Sequence, residues 1–250
     1  MRFVLVPTLT RLRAVYAVPR GPLRFEAYIA ATVGGATRTA DVALPPLVAA
    51  NPMARDHATA CLDTWLALDA EEVTAVALAE AEIRPTGRAT DVTVRVGLTL
   101  LDDVGGGWTN RVISDAGRFA VGRTLTQTGW LSVPLWTGEV PDTASLRRTV
   151  LASAFRAMWA SEHGDPVTLR DHLTQEGQAL AFAGQRPRLD PHELAYTRAV
   201  LAPLLDSAHQ PTTYAALYGD DGARAWGYPP LGLARHAGFE LALADALNSP

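Results

Sequence analysis

Two adjacent carboxylates, Asp102 and Asp103, stand where a strongly alternating segment runs out. Gly105, Gly106 and Gly107 follow, then Trp108, Asn110 and Arg111, with Arg118 a little further on. Carboxylates of this kind serve as general bases or hold a divalent cation such as Mg²⁺. Successive glycines present backbone N–H groups to an anion, and arginines grip carboxylate or phosphate with a fixed fork. The pattern therefore points to a small anionic molecule, with Asp102 and Asp103 as catalytic candidates. Residues 105–107, Trp108, Asn110, Arg111 and Arg118 are then its binding groups. The competing interpretation is a tight turn, in which the glycines supply positive φ and the acids pair with Arg111.

A second polar cluster lies near the C-terminus: Tyr218, Asp220, Asp221 and Tyr228, among further aromatics and Arg224. It suits a pocket lining, and equally an irregular connection between helices. His57 and Cys61 are four residues apart on a predicted helix, the spacing of a thiolate–imidazole pair. Cys61 also falls in an apolar stripe with Leu62 and Trp65, where a buried, unreactive thiol is expected.

Composition excludes several chemistries. All 22 basic side chains are arginine and none is lysine, which removes Schiff-base catalysis, a lysine general base and a P-loop ammonium. Together with abundant alanine, this also reads as GC-rich codon usage. One cysteine among 250 residues allows no internal disulfide framework and no multi-cysteine zinc site. A net charge of −4 implies no broad basic surface for nucleic acid. The opening residues make a poor signal peptide, and no apolar run approaches membrane-spanning length, so a cytoplasmic protein is expected.

The elements that must position these groups follow from periodicity. Residues 3–6 read as a strand. Residues 12–18 and 23–33 read as a hairpin around Pro19–Pro22. Asn51-Pro52 resembles a helix start, and Ala58, Cys61, Leu62, Trp65 and Leu68 share a helical face. A second helix should run from Asp69 to Ile83. Val92 to Leu100 is the clearest strand, and residues 130–136 another. From about Asp142 the pattern is helical, with an apolar face from Leu146 to Trp159. Asp190-Pro191 is a capped start, and a last helix is interrupted by Gly238.

The expected class is α+β in one domain over residues 1–250. Residues 1–140 should form a mostly antiparallel sheet with a helical pair, and residues 141–250 a helical half. The alternative to ligand binding is a non-catalytic interaction or structural protein that uses its helical half.

Overall fold

The structure, a computed structural model, describes residues 1–34, 42–84, 91–104 and 109–248. Its sheet has three strands, β1 (Arg2–Leu5), β2 (Thr93–Leu101) and β3 (Trp130–Trp136), in the order β1-β2-β3. Both pairings are parallel, with Phe3 beside Val94 and Leu98 beside Val133. This overturns the expected antiparallel sheet. The supposed hairpin is two helices, α1 (Thr8–Ala17) and α2 (Pro22–Thr32). Leu9, Leu12, Val15 and Tyr16 are buried at helical spacing in α1. Val15, Tyr16 and Val18 mimic a strand by residue type, but here burial of one helical stripe outweighs β-propensity.

Parallel neighbours also explain why β2 misleads. Its Thr, Arg and Gly positions alternate with apolar ones, as on a half-exposed strand. In fact every residue from Val96 to Leu101 is buried. Both faces of the strand are covered, as parallel sheets require. Gly97 makes this possible: a Cβ there would stand 2.8 Å from Thr8 and 2.9 Å from Pro46, in the 3-10 turn Pro45–Ala49. Thr8 then donates to the Leu98 carbonyl at 2.6 Å. Elsewhere α4 (Ala70–Ile83) packs on β1, and α7 (Thr143–His163) packs on β3 and α4. The outward N–H of Phe3 on edge strand β1 is taken by Glu82. Pro134 cannot donate at all on edge strand β3.

Asn51 does not cap a helix; α3 runs from Asp56 to Ala67 with Arg55 as N-cap. The Asn51 side chain is instead committed to Asp102. After β2 come α5 (Arg111–Asp115), a 3-10 turn (Ala116–Ala120) and α6 (Val121–Thr128). After β3 every element is helical: α7, α8 (Leu169–Phe182), α9 (Pro191–Leu201), α10 (Gln210–Ala225) and α11 (Ala237–Asn248). Asp142, Thr168 and Asp190 each accept a backbone N–H as caps of α7, α8 and α9.

Helix α11 approaches its neighbours very closely. A Cβ on Gly177 of α8 would meet the Ala242 carbonyl oxygen at 2.2 Å, and one on Gly238 of α11 would meet that of Ala216 in α10 at 2.3 Å; just before α11, a Cβ on Gly219 would meet the Ala234 carbonyl oxygen at 2.1 Å. Gly219 has φ 74° and breaks the helical course of α10. No other residue type takes both that conformation and that contact.

Among the described residues no helix is long and apolar enough to cross a membrane.

Candidate functional site

Asp102 and Asp103 sit where the central strand β2 gives out, at the carboxyl end of the sheet. That is where open parallel sheets offer ligand sites. Asp102 is buried. It accepts from His57 Nε2 at 2.8 Å and Asn51 Nδ2 at 3.0 Å, and Thr137 Oγ1 lies at 3.2 Å. Burial alone would raise its carboxyl, but the His57 hydrogen bond, the Asn51 amide, the charge of His57 and the Thr137 hydroxyl outweigh it. The group is held below the usual carboxylate range.

Asp103 accepts from the Gly138 N–H at 2.7 Å, and its Oδ1 is 3.2 Å from the same Thr137 hydroxyl. That hydroxyl carries one proton, so it bridges the two carboxylates and serves one at a time. The other Asp103 oxygen lies 3.4 Å from Arg111. Arg111 also pairs with Glu139, and its guanidinium lies 4.9 Å from the centre of the Trp136 ring. Residues 105–108, the glycines and Trp108 of the sequence pattern, lie outside the described residues.

Arg118 is built the same way from the other side. Its guanidinium is paired with Asp115 and lies 5.4 Å from the centre of Phe239. Tyr218 donates to the second Asp115 oxygen at 2.9 Å. Behind them Arg156 and Glu176 form a buried two-pronged pair, both bonds 2.7 Å, and Glu176 is 3.8 Å from Arg118. Burial opposes ionisation of Asp115, but the charge and hydrogen bonds of Arg118, with Tyr218 and Arg156, hold it down. Burial, with the charge of Asp115, pushes the Tyr218 phenol well above its ordinary value.

The Arg111 end of the first cluster and the Arg118 cluster face one pocket of about 550 Å³ between β3, α5, α10 and α11, and Asp102 and Asp103 do not line it. Arg111 and Trp136 line it on one side, Arg118, Tyr218 and Phe239 on the other. Arg188 and Arg235 add two further guanidinium groups. Neither guanidinium makes a hydrogen bond or ion pair among the described residues. The lining acids differ in this respect: Asp115 is bound to Arg118, Glu139 to Arg111, and Glu240 to the Arg188 backbone N–H. Asp221 pairs outward with Arg224.

The structure thus brings Arg111, Arg118, Tyr218 and Asp221 together. It separates Asp220, whose Oδ1 accepts three backbone N–H groups, from Leu231, Gly232 and Leu233, and so pins the segment before α11. Tyr228 lies apart too, in an aromatic cluster with Trp226 and Tyr214. Cys61 is half-buried, and burial together with the charge of Asp103 pushes its thiol up, away from a thiolate.

The sequence pattern does not single out Asp115, Arg156, Glu176, Trp136, Arg188 or Arg235. Arg156 had one signal, a charged residue set in sequence among Phe155, Ala157 and Met158 in an otherwise apolar stretch. For Arg188 and Arg235 nothing distinguishes them from other surface arginines. Among the described residues no three His, Cys, Asp or Glu side chains gather as a metal site. Asp102 and Asp103 are instead occupied by protein donors.

Comparison with family models, curated proteins and solved structures finds no match to this chain.

Proposed function

We propose that this protein binds a small molecule carrying carboxylate or phosphate groups in the pocket between Arg111 and Arg118. One observation carries this. Two arginines on opposite sides of a single pocket are each backed by an aromatic ring and each held by two carboxylates, Arg111 by Asp103 and Glu139 and Arg118 by Asp115 and Glu176. A guanidinium held in this way keeps N–H donors for a ligand and loses little rotamer freedom on binding. Arg188 and Arg235, unengaged on the same lining, supply the positive charge that the paired residues lack.

Asp103 serves in this account as the group that orients Arg111, assisted by Gly138 and Thr137. The interaction alternative finds less support. The large apolar side chains exposed in the helical half, Val167, Tyr196 and Leu247, do not fall on one helix.

The test is a thermal-shift screen of the wild type against inorganic phosphate, pyrophosphate, nucleotides, succinate and citrate at low salt. At least one anion should raise the melting temperature, and Arg235→Ala should lose most of that shift. Failure of every anion to move the wild type contradicts the proposal.

A further inference from the structure

The anion pocket leaves His57 unused, although its surroundings are more elaborate than a surface histidine needs. Asp102 is nearly inaccessible, yet it spends one oxygen on His57 at 2.8 Å and the other on the Asn51 amide at 3.0 Å. Asn51 is itself fixed: its carbonyl accepts from the Tyr16 hydroxyl at 2.7 Å, and its side-chain oxygen from the Met53 N–H at 3.0 Å. An ionised carboxylate can only accept. The neutral His57 ring must therefore carry its proton on Nε2, and its lone pair is on Nδ1. Among the described residues Nδ1 has no partner, and about a third of the side chain (32%) is open to solvent. A carboxylate behind one ring nitrogen and an open lone pair on the other is the arrangement of an oriented general base.

We propose that His57 and Asp102 form a second site, a general-base couple acting on acyl esters. Nδ1 takes a proton from water as the water oxygen bonds to the acyl carbon. The tetrahedral intermediate then expels the alkoxide, which recovers that proton from Nδ1. Asp102 is the positioning residue; it fixes the tautomer and stabilises the imidazolium formed in between. An imidazole base of this kind drives water onto an acyl carbon without a metal. Cys61, one turn along α3, is not the nucleophile, because its thiol is pushed away from the thiolate form. The couple does not rest on the anion pocket.

p-Nitrophenyl acetate is a suitable probe because it is uncharged and needs none of the pocket arginines. The wild type should hydrolyse it faster than buffer. His57→Gln should lose at least tenfold of the protein-dependent rate, and Asp102→Asn should lose an intermediate share while His57 remains in place. Equal rates for wild type and His57→Gln overturn the proposal. A second measurement needs no variant: ¹⁵N NMR of the wild-type protein should show that the neutral form of His57 is protonated at Nε2. A ring protonated at Nδ1 overturns the proposal, since its lone pair would then face Asp102.

Discussion

The two polar networks of this molecule are built from the same residue types and differ in what covers them. At the carboxyl end of the sheet, Asp103 and Glu139 hold an arginine that is 44% exposed. Between the helices, Glu176 is wholly buried and Arg156 is 7% exposed. The first network meets water, so its ion pairs contribute little to stability. In the second, each charge depends on its partner, because neither could be hydrated if the other left. Arg118 is the joint between them, tied to the buried network through Glu176 and open to the pocket. The buried half is thus the rigid support, and in the proposed function the exposed half and the pocket lining would carry the specificity.

The contrast breaks first at Glu176. Glu176→Gln leaves Arg156 without its compensating charge, while Arg118 keeps Asp115, and should cost roughly 3–5 kcal/mol in denaturant unfolding. Replacing the pair together, as Arg156→Met with Glu176→Leu, should cost much less than the single change. If Glu176→Gln is as stable as the wild type, the buried network is not the support described here.

Acid should destabilise the fold in two stages, histidine first and carboxylates second. Burial depresses His172, which packs edge-on against Phe119 at 4.9 Å, so its neutral form belongs to the folded state. A depressed histidine contributes stability that is present above its unfolded value of about 6.5 and lost as pH falls. Asp102 and Asp115 are depressed too, and their contribution is lost only below the ordinary carboxylate range, near about 4. Melting temperature against pH should fall in two stages, and His172→Gln should shrink the upper one, to which His236, also depressed by burial, contributes as well. A single fall near pH 4 in the wild type would show that His172 accepts its proton in the folded state.

A smaller effect is expected at Arg111. Arg111→Ala removes exposed pairs with Asp103 and Glu139 and a ring contact with Trp136, together worth about 1 kcal/mol. A loss as large as that of Glu176→Gln would place Arg111 in the structural network and erase the contrast.

How much of this is legible in the sequence depends on the distance over which each contact acts. β2, β3 and the cap of α9 at Asp190 are local and show in the residue pattern. The parallel sheet does not, because it depends on Gly97 admitting Thr8 and Pro46 from another part of the chain. Within the site, Arg111, Arg118 and Tyr218 stand out by type, and the pocket joins them. Asp220 stands out equally but ties down the backbone of residues 231–233 with one oxygen and pairs with Arg224 through the other. A carboxylate that binds a ligand and one that ties a loop have the same sequence signature. The pairing of Arg156 with Glu176, 20 residues away on another helix, is set by how α7 and α8 pack. The partner of His57 is Asp102, just past the end of β2, not the neighbouring Cys61, and helical spacing alone points to the wrong one.

The central claim is that the pocket between the two networks holds an anion. Calorimetric titration tests it most directly, using the anion that stabilises the wild type most and the double variant Arg188→Ala, Arg235→Ala. Neither guanidinium is bonded within the described protein, so the double variant should melt within a degree or two of the wild type. Each lost charge-assisted contact is worth roughly 1.5–3 kcal/mol, so affinity should fall at least tenfold. Unchanged affinity in the double variant, or no anion bound by the wild type, would contradict the account.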